Sequence, residues 1–203
     1  MDGSWFRGGA LVLFAYFLGS VPFGILVTRA FDKNVNLRET GSGNIGATNV
    51  VRAAGKAAGV VTLLMDVGKG ILPMALTYML VGENYLWLSL VGGAAFLGHV
   101  FPVYLNFKGG KGAATALGVI LALSPVITFI IIVMVGLIVY FTRYVSLGSI
   151  CGAAALPILM AVLGPPSRNC VWLGLLISIV VIYKHRENIH RLLTGQEHKF
   201  GKP

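Results

Sequence analysis

The sequence AATALGVILALSPVITFIIIVMVGLIVYFT, residues 113–142, contains no charged side chain. Long apolar runs of this kind are typical of helices that cross a membrane, whose hydrocarbon core is about 30 Å thick. Ser124 and Pro125 fall inside the run, and proline removes a helical hydrogen-bond donor. The stretch is therefore either two membrane helices, 113–123 and 126–142, or one long helix with a proline kink.

The composition of the whole chain supports a membrane protein. Of its 203 residues, 56% are hydrophobic and 11% are charged, and the mean hydropathy is +0.82. Soluble domains carry roughly 25% charged residues, so this chain is typical of a polytopic membrane protein. The net charge of +9 then indicates orientation and contact with lipid headgroups, and not nucleic-acid binding. Nothing in the composition divides the chain, so we expect one domain, 1–203.

Seven apolar segments of helical character lie along the chain. They cover approximately residues 9–28, 57–81, 85–105, 113–123, 126–142, 146–163 and 169–183. The polar sequence DVGKG (66–70) interrupts the second segment, and GPPS (164–167) predicts a turn between the last two. The segment 113–123 would be roughly 17 Å long as a helix, which is short for a membrane crossing.

The distribution of Lys and Arg decides the number of crossings. With seven crossings, Arg7 and Arg168 fall on one side of the membrane and the other loop and terminal basic residues fall opposite. Because basic loops stay in the cytoplasm, we predict an all-α polytopic membrane protein with about seven transmembrane helices, some of them short. Its N-terminus would be outside and its C-terminus cytoplasmic. Cys151 and Cys170 would then lie at opposite faces, too far apart for a disulfide.

Four polar, glycine-rich stretches share the predicted cytoplasmic face. They are TGSGNIGATNVVRAAGK (40–56), GHVFPVYLNFKGGKGAAT (98–115), RYVSLGS (143–149) and YKHRENIHRLLTGQEHK (183–199). Glycine lets backbone amides approach an anion, and helix N-termini favour negative charge. Arg52 and Lys111 supply positive charge, while Ser42, Asn44 and Thr48 supply neutral hydrogen bonds. The pattern predicts a site for phosphate groups at the membrane surface.

Ionisable residues near this face have two explanations. Asp66 and Lys69 stand three apart inside an apolar segment, where a structural ion pair and a catalytic role are equally good interpretations. We expect His99 to be a hydrogen-bonded structural residue. His185 and Asn188 share one face of a helical turn, so both can point into the phosphate site.

Two other motif matches in the sequence lack the neighbouring residues or elements that the motifs require. Gly41, Gly43 and Gly46 match the G-x-G-x-x-G of dinucleotide-binding folds, but no β-α-β unit accompanies them. Each Gly-Lys pair lacks the Ser or Thr that completes a Walker A sequence, and no Cys or His spacing predicts a metal site.

Three stretches carry a family resemblance. GSGNIGATNVVRAAGKAAGVVTLLMDVGKG (41–70), GHVFPVYLNFKGGKGAATALG (98–118) and HRENIHRLLTGQEHK (185–199) resemble the motifs of bacterial membrane-integral glycerol-3-phosphate acyltransferases that use acyl phosphate as donor. The likeness spans essentially the whole chain, with mild departures at Ala113 and Lys184. The H-x-x-x-x-D sequence of acyltransferases that use acyl-CoA or acyl carrier protein is absent, which agrees with this resemblance.

The resemblance implies transfer of an acyl group from acyl phosphate to the 1-hydroxyl of sn-glycerol 3-phosphate. The products would be lysophosphatidic acid and inorganic phosphate, in the first acylation of phospholipid synthesis. It implies a monomer in the bacterial inner membrane, active at the cytoplasmic face. Its partners would be the two substrates and membrane lipid, without nucleic acid, cofactor or metal. A transporter for an organic phosphate is the alternative class.

The resemblance also implies roles for individual residues. Those assigned to catalysis are Ser42, Lys111, Ser149, His185 and Asn188. Those assigned to substrate binding are Asn44, Gly46, Ala47, Thr48, Arg52, Gly109 and Gly110. Arg52 and Lys111, with Ser42, would bind the acceptor phosphate, and the other polar groups would hold the donor. The general base is either His185 or the leaving phosphate, and the resemblance favours the phosphate.

Overall fold

The computed structural model describes residues 4–163 and 167–201, and in these residues it contains nine α-helices and no β-strand. The helices are α1 (Ser4–Ser20), α2 (Phe23–Phe31), α3 (Ala47–Val81), α4 (Tyr85–Val100), α5 (Ala113–Leu123), α6 (Pro125–Thr142), α7 (Val145–Val162), α8 (Val171–Lys184) and α9 (Arg186–Leu193). Short 3₁₀ turns cover Val103–Leu105 and Ser167–Cys170. The predicted all-α class is confirmed.

Five helical stretches are long and apolar enough to cross a membrane, judged by length and composition. They are Ser4–Phe31, Ala47–Val81, Tyr85–Leu105, Pro125–Thr142 and Val145–Val162. Helix α5 is apolar but shorter. The count of seven crossings and the orientation of the termini stay predictions.

The first predicted segment, 9–28, is two helices and not one. Helix α1 ends at Ser20 and α2 begins at Phe23, with Val21 and Pro22 between them. Proline cannot donate a backbone hydrogen bond, so the regular helical pattern stops there. The carbonyl of Val21 accepts hydrogen bonds from the Phe23 amide at 3.0 Å and from the Lys69 ammonium at 2.9 Å. The break is therefore bonded both locally and to α3.

Helix α3 begins ten positions earlier than the apolar segment that predicted it. Its first part, Ala47 to Ala54, which contains Thr48, Asn49 and Arg52, is helical, and the kink falls at Gly55, where φ is 88° and ψ is 173°. A positive φ of this size favours glycine because it lacks a Cβ. The sequence 66–70 interrupts the apolar run but not the helix.

Helices α5 and α6 are separate. Ser124 has extended backbone angles (φ −152°, ψ 96°), and its hydroxyl accepts a hydrogen bond from the Ile127 amide at 3.4 Å. Pro125 is the first residue of α6, where a proline costs no helical hydrogen bond. The alternative of one kinked helix over 113–142 is therefore wrong. The predicted turn at 164–167 lies almost entirely outside the described residues.

The helices of the first compact unit, Met1–Ala122, pack through glycines. Gly19 of α1 lies against the carbonyl of Ala95 in α4, and Gly98 of α4 lies against the carbonyl of Tyr16 in α1. Gly118 of α5 lies against the carbonyl of Val67 in α3. Small residues allow such backbone contact inside a membrane, where lipid and side chains are equally apolar.

The second compact unit, Leu123–Pro203, has α7 packed against both α6 and α8. Gly148 and Gly152 of α7 contact Val135 of α6, while Gly174 of α8 contacts Met160 of α7. Cys151 and Cys170 both lie in this unit, and neither forms a disulfide. This agrees with the prediction that they are not bonded to each other.

We expect Gly118→Ala to lower the thermal midpoint of the detergent-solubilised protein. An added Cβ would collide with the Val67 carbonyl, and overpacking of this kind costs about 1–3 kcal/mol. Gly68→Ala in α3 is the matched control, because a Cβ there meets nothing within 4 Å. The control should keep or slightly raise the midpoint, and equal losses in both variants would contradict the packing argument.

Candidate active site

The segment between α2 and α3 is organised by the side chain of Asn49, which is 2% exposed. Its amide nitrogen donates to the carbonyls of Leu37, Thr40 and Asn44 at 3.1, 3.0 and 2.9 Å. Its amide oxygen accepts from the backbone N–H of Ser42 at 3.0 Å. One buried side chain thus shapes the loop that carries several predicted site residues.

The shape of this loop requires glycine at two positions. Gly41 and Gly43 have φ of 58° and 64°. A Cβ on Gly41 would collide with the Asn49 amide oxygen, and one on Gly43 would lie 2.9 Å from the carbonyl of Arg38. The first two glycines of the G-x-G-x-x-G pattern therefore reflect close packing within the loop, without a dinucleotide fold.

The predicted donors of the first loop cluster at the start of α3. Gly46 is the N-cap of this helix, and Ala47 and Thr48 are its first two residues. The first backbone amides of a helix have no partner within it, so they are available to an anion. Arg52, one turn further on, is exposed. This end of α3 combines amide donors with a guanidinium group.

The second predicted loop, between α4 and α5, lies against the first. The Arg38 guanidinium donates a hydrogen bond to the carbonyl of Lys108. Leu105 packs against an apolar cluster composed of Leu37, Ile45, Val50 and Ala58. The structure therefore brings the segment around Ser42 to Arg52 together with the segment that holds Gly109, Gly110 and Lys111.

Backbone hydrogen bonds fold this second loop back on the end of α4. The amide of Gly109 donates to the carbonyl of Val100 at 3.2 Å, and the amide of Gly110 donates to the carbonyl of His99 at 3.1 Å. Gly112 has φ of 83° and leads into α5. Lys111 is half-buried between these anchored glycines.

In the second unit, the three predicted residues lie on α7, at the junction of α8 and α9, and on α9. The Ser149 hydroxyl donates to the carbonyl of Val145 at 3.0 Å. His185 sits at the junction of α8 and α9, and Asn188 follows one turn later; both are buried. His185 Nδ1 lies 2.8 Å from the carbonyl of Val181. Because a carbonyl can only accept, Nδ1 carries the proton, and a neutral ring has its lone pair on Nε2.

Glu197 joins this region although the sequence analysis did not select it. Its carboxylate accepts hydrogen bonds from the Ser146 hydroxyl at 2.8 Å and the Asn188 amide at 2.7 Å. It also pairs with Arg191 at 2.8 Å. Burial alone would raise the pKa of Glu197, but these donors and the Arg191 charge outweigh burial and hold the pKa below its ordinary value.

Two features of the sequence could have indicated these missed residues. Glu197 is an acidic residue in a basic C-terminal stretch, and Asn49 follows the polar loop in the motif that carries Ser42. Neither signal reveals which backbone groups the side chain will bind. In the described part of the chain, no group of three or more His, Cys, Asp or Glu could hold a metal ion.

Residues 9–195 match the family model described as glycerol-3-phosphate acyltransferase. A glycerol-3-phosphate acyltransferase of Syntrophotalea carbinolica is 47% identical over 94% of this chain and 96% of its own length. One from Aquifex aeolicus is 46% identical over 94% of this chain and 97% of its own length.

Two solved structures are similar to this chain. Both are of PlsY (YgiH), described as an integral membrane glycerol 3-phosphate acyltransferase. The glycerol 3-phosphate form has a TM-score of 0.89 and 44% identity, and covers 96% of each chain. The lysophosphatidic acid form has a TM-score of 0.87 and 42% identity, and covers 96% of this chain and 95% of the other.

We expect acid to destabilise the protein through Glu197. Because its pKa is lower folded than unfolded, its contribution to stability is present above the ordinary pKa and is lost as the pH falls through the folded value. The thermal midpoint in detergent, followed from pH 7 to about 3, should fall. Glu197→Gln should lower the midpoint at pH 7 and flatten this pH dependence.

The matched control for this experiment is Glu187→Gln. Glu187 and its basic partner Arg186 are both exposed. The Glu187 carboxylate lies 3.8 Å from the Arg186 guanidinium. Surface pairs of this kind contribute little, so the control should follow the wild-type curve. A Glu197→Gln curve parallel to the wild-type curve would contradict the role of this carboxylate.

Proposed function

Because this chain belongs to the glycerol-3-phosphate acyltransferase family, we propose that it transfers a fatty acyl group from acyl phosphate to the 1-hydroxyl of sn-glycerol 3-phosphate. Lysophosphatidic acid and inorganic phosphate would be the products. The chain is an integral membrane acyltransferase of phospholipid biosynthesis. We place the reaction at the cytoplasmic face of a bacterial inner membrane, carried out by a monomer.

The observation that carries this proposal is the pair of related solved structures. One is the glycerol 3-phosphate form and the other the lysophosphatidic acid form. These two molecules differ by one acyl group on a hydroxyl, so they stand at the two ends of the proposed transfer. At 44% and 42% identity and nearly full coverage, the same acceptor and product are the best assignment for this chain.

The proposed donor rests on a different argument. Acyl phosphate is a mixed anhydride that is already activated for attack, so a covalent enzyme intermediate is unnecessary. The reaction then needs binding for two phosphate groups. The chain provides a helix start at Gly46, Ala47 and Thr48 and a second glycine-rich loop at Gly109–Lys111. The helix start presents the backbone amides of Ala47 and Thr48, and the second loop presents the Lys111 side chain; amides and ammonium groups both suit phosphate.

In the proposed acceptor subsite, positive charge neutralises the phosphate of glycerol 3-phosphate. Arg52 supplies a planar guanidinium that can bind two phosphate oxygens, and Lys111 supplies a point charge. The Ser42 hydroxyl adds a neutral donor. These groups orient the 1-hydroxyl, and orientation alone can lower a barrier by several kcal/mol.

In the proposed donor subsite, amides and neutral side chains hold the phosphoryl and carbonyl oxygens. In the first unit, the residues given this role are Asn44, Gly46, Ala47 and Thr48. The roles of Ser149, His185 and Asn188, which lie in the second unit, stay predictions from the motif resemblance. Donors directed at the carbonyl oxygen would stabilise the negative charge that develops there during attack.

The chemical step is a direct displacement. The oxygen of the 1-hydroxyl attacks the carbonyl carbon, and the bond from that carbon to the phosphate oxygen breaks. The hydroxyl proton passes to the departing phosphate or to His185, whose lone pair in the neutral ring is on Nε2. We favour the phosphate, which becomes more basic as it leaves.

The donor assignment is tested with purified protein in detergent. Palmitoyl phosphate and glycerol 3-phosphate should give lysophosphatidic acid and equimolar inorganic phosphate, while palmitoyl-CoA should give no product. In the thioester the acyl carbonyl is bonded to sulfur, so it lacks the carbonyl-bound phosphate that the donor subsite binds. Equal turnover with palmitoyl-CoA would overturn the proposed donor, and failure with both donors would overturn the proposed reaction.

The acceptor subsite is tested with Arg52→Ala and Lys111→Ala. Each removes a charged hydrogen-bond donor, so kcat/KM for glycerol 3-phosphate should fall by about 100-fold or more. Thermal stability should be almost unchanged for Arg52→Ala, because this residue is exposed. Lys56→Ala, also exposed on α3, is the matched control and should keep normal kinetics. Normal kinetics in purified Lys111→Ala would refute its assignment.

A further inference from the structure

A buried ionic cluster lies in the first unit, and the proposed reaction does not use it. Asp66 and Lys69, both on α3, are 1% and 3% exposed, and their Oδ1 and Nζ atoms lie 2.9 Å apart. Charged groups inside a membrane-crossing helix are costly, so their presence calls for a specific role. Lys69 also donates to the carbonyl of Val21 and lies over the ring of Phe23.

His99 connects this cluster to the loop between α4 and α5. Its Nδ1 atom lies 3.5 Å from Asp66 Oδ1 and 3.1 Å from the hydroxyl of Thr115. His99 is in the last turn of α4, and Thr115 is in the first turn of α5. One buried imidazole therefore joins the two ends of the loop to α3.

The other edge of the imidazole lies against the loop itself. A Cβ on Gly110 would collide with His99 Nε2, so the ring and the Gly110 backbone are in direct contact. The amide of Gly110 also donates to the carbonyl of His99 at 3.1 Å. Gly110 is thus held by both the backbone and the ring of His99, and Lys111 is the next residue.

We propose that Asp66 and His99 are positioning residues, which hold the Gly110 backbone so that the Lys111 ammonium meets the phosphate of glycerol 3-phosphate. The proposal rests on the proposed function of Lys111. The Asp66 carboxylate orients the imidazole through Nδ1, and the imidazole sets the backbone position through its opposite edge. Lys69 neutralises the Asp66 charge and also contacts the break between α1 and α2.

The test measures the dissociation constant for glycerol 3-phosphate by titration calorimetry, without acyl donor. His99→Ala should weaken binding by about tenfold or more, because small displacements of a binding group are costly. His99→Asn, whose amide can replace Nδ1, should restore much of the affinity. Thr62→Val is the control, since Thr62 is buried on α3, the helix of Asp66, and its hydroxyl has no partner among the described residues.

A double-mutant cycle with Lys111→Ala separates positioning from a general loss of structure. If His99 acts through Lys111, His99→Ala should weaken binding much less once Lys111 is already alanine. Additive losses would overturn the positioning role and leave the Lys111 assignment intact. If Lys111→Ala alone leaves binding unchanged, the Lys111 assignment itself is overturned.

Turnover gives a second readout for variants that fold less well. His99→Ala and Asp66→Asn should raise KM for glycerol 3-phosphate by several-fold, with kcat close to wild type at saturating acceptor. A merely structural role would lower the active fraction and therefore kcat, without changing KM. That second pattern would overturn the proposal.

Discussion

The first unit depends on the interactions of the Lys69 ammonium with the Asp66 carboxylate and the Val21 carbonyl. A chain inside lipid must satisfy its backbone polar groups internally, because no water is available. At the break between α1 and α2, the Val21 carbonyl accepts from the Phe23 amide and also from Lys69. The charge of Lys69 then requires Asp66, and Asp66 contacts His99. A single break in one helix is thereby linked to α3, α4 and α5.

Features that depend on local chemistry could be predicted from the sequence. The apolar runs gave the helical class, and Ser124 with Pro125 gave the boundary between α5 and α6, since a cap and a proline act on their own neighbours. His185 and Asn188 were expected on one helical turn, and both are buried there. The motif resemblance also led to the family that the comparisons confirm.

Features that depend on distant partners could not be predicted. The contact between Lys69 and the Val21 carbonyl after α1 joins residues 48 positions apart. The first part of α3 is interrupted by Thr48, Asn49 and Arg52 and is followed by the kink at Gly55, so the continuous apolar run begins after the helix has started. Asn49 and Glu197 each collect several donors or acceptors from separate parts of the chain, and no spacing rule announces such contacts. The roles of the site residues remain proposals from the motifs.

The position of Asn49 also bears on the chemical ageing of the protein. Asparagine side chains deamidate slowly in water, and the product is a carboxylate. At this position the change would replace an amide that donates to three carbonyls with a group that only accepts. Burial and the regular helical backbone of α3 keep the Asn49 side chain out of the conformation in which an asparagine deamidates. The same packing that shapes the loop therefore protects it from covalent damage over the lifetime of the molecule.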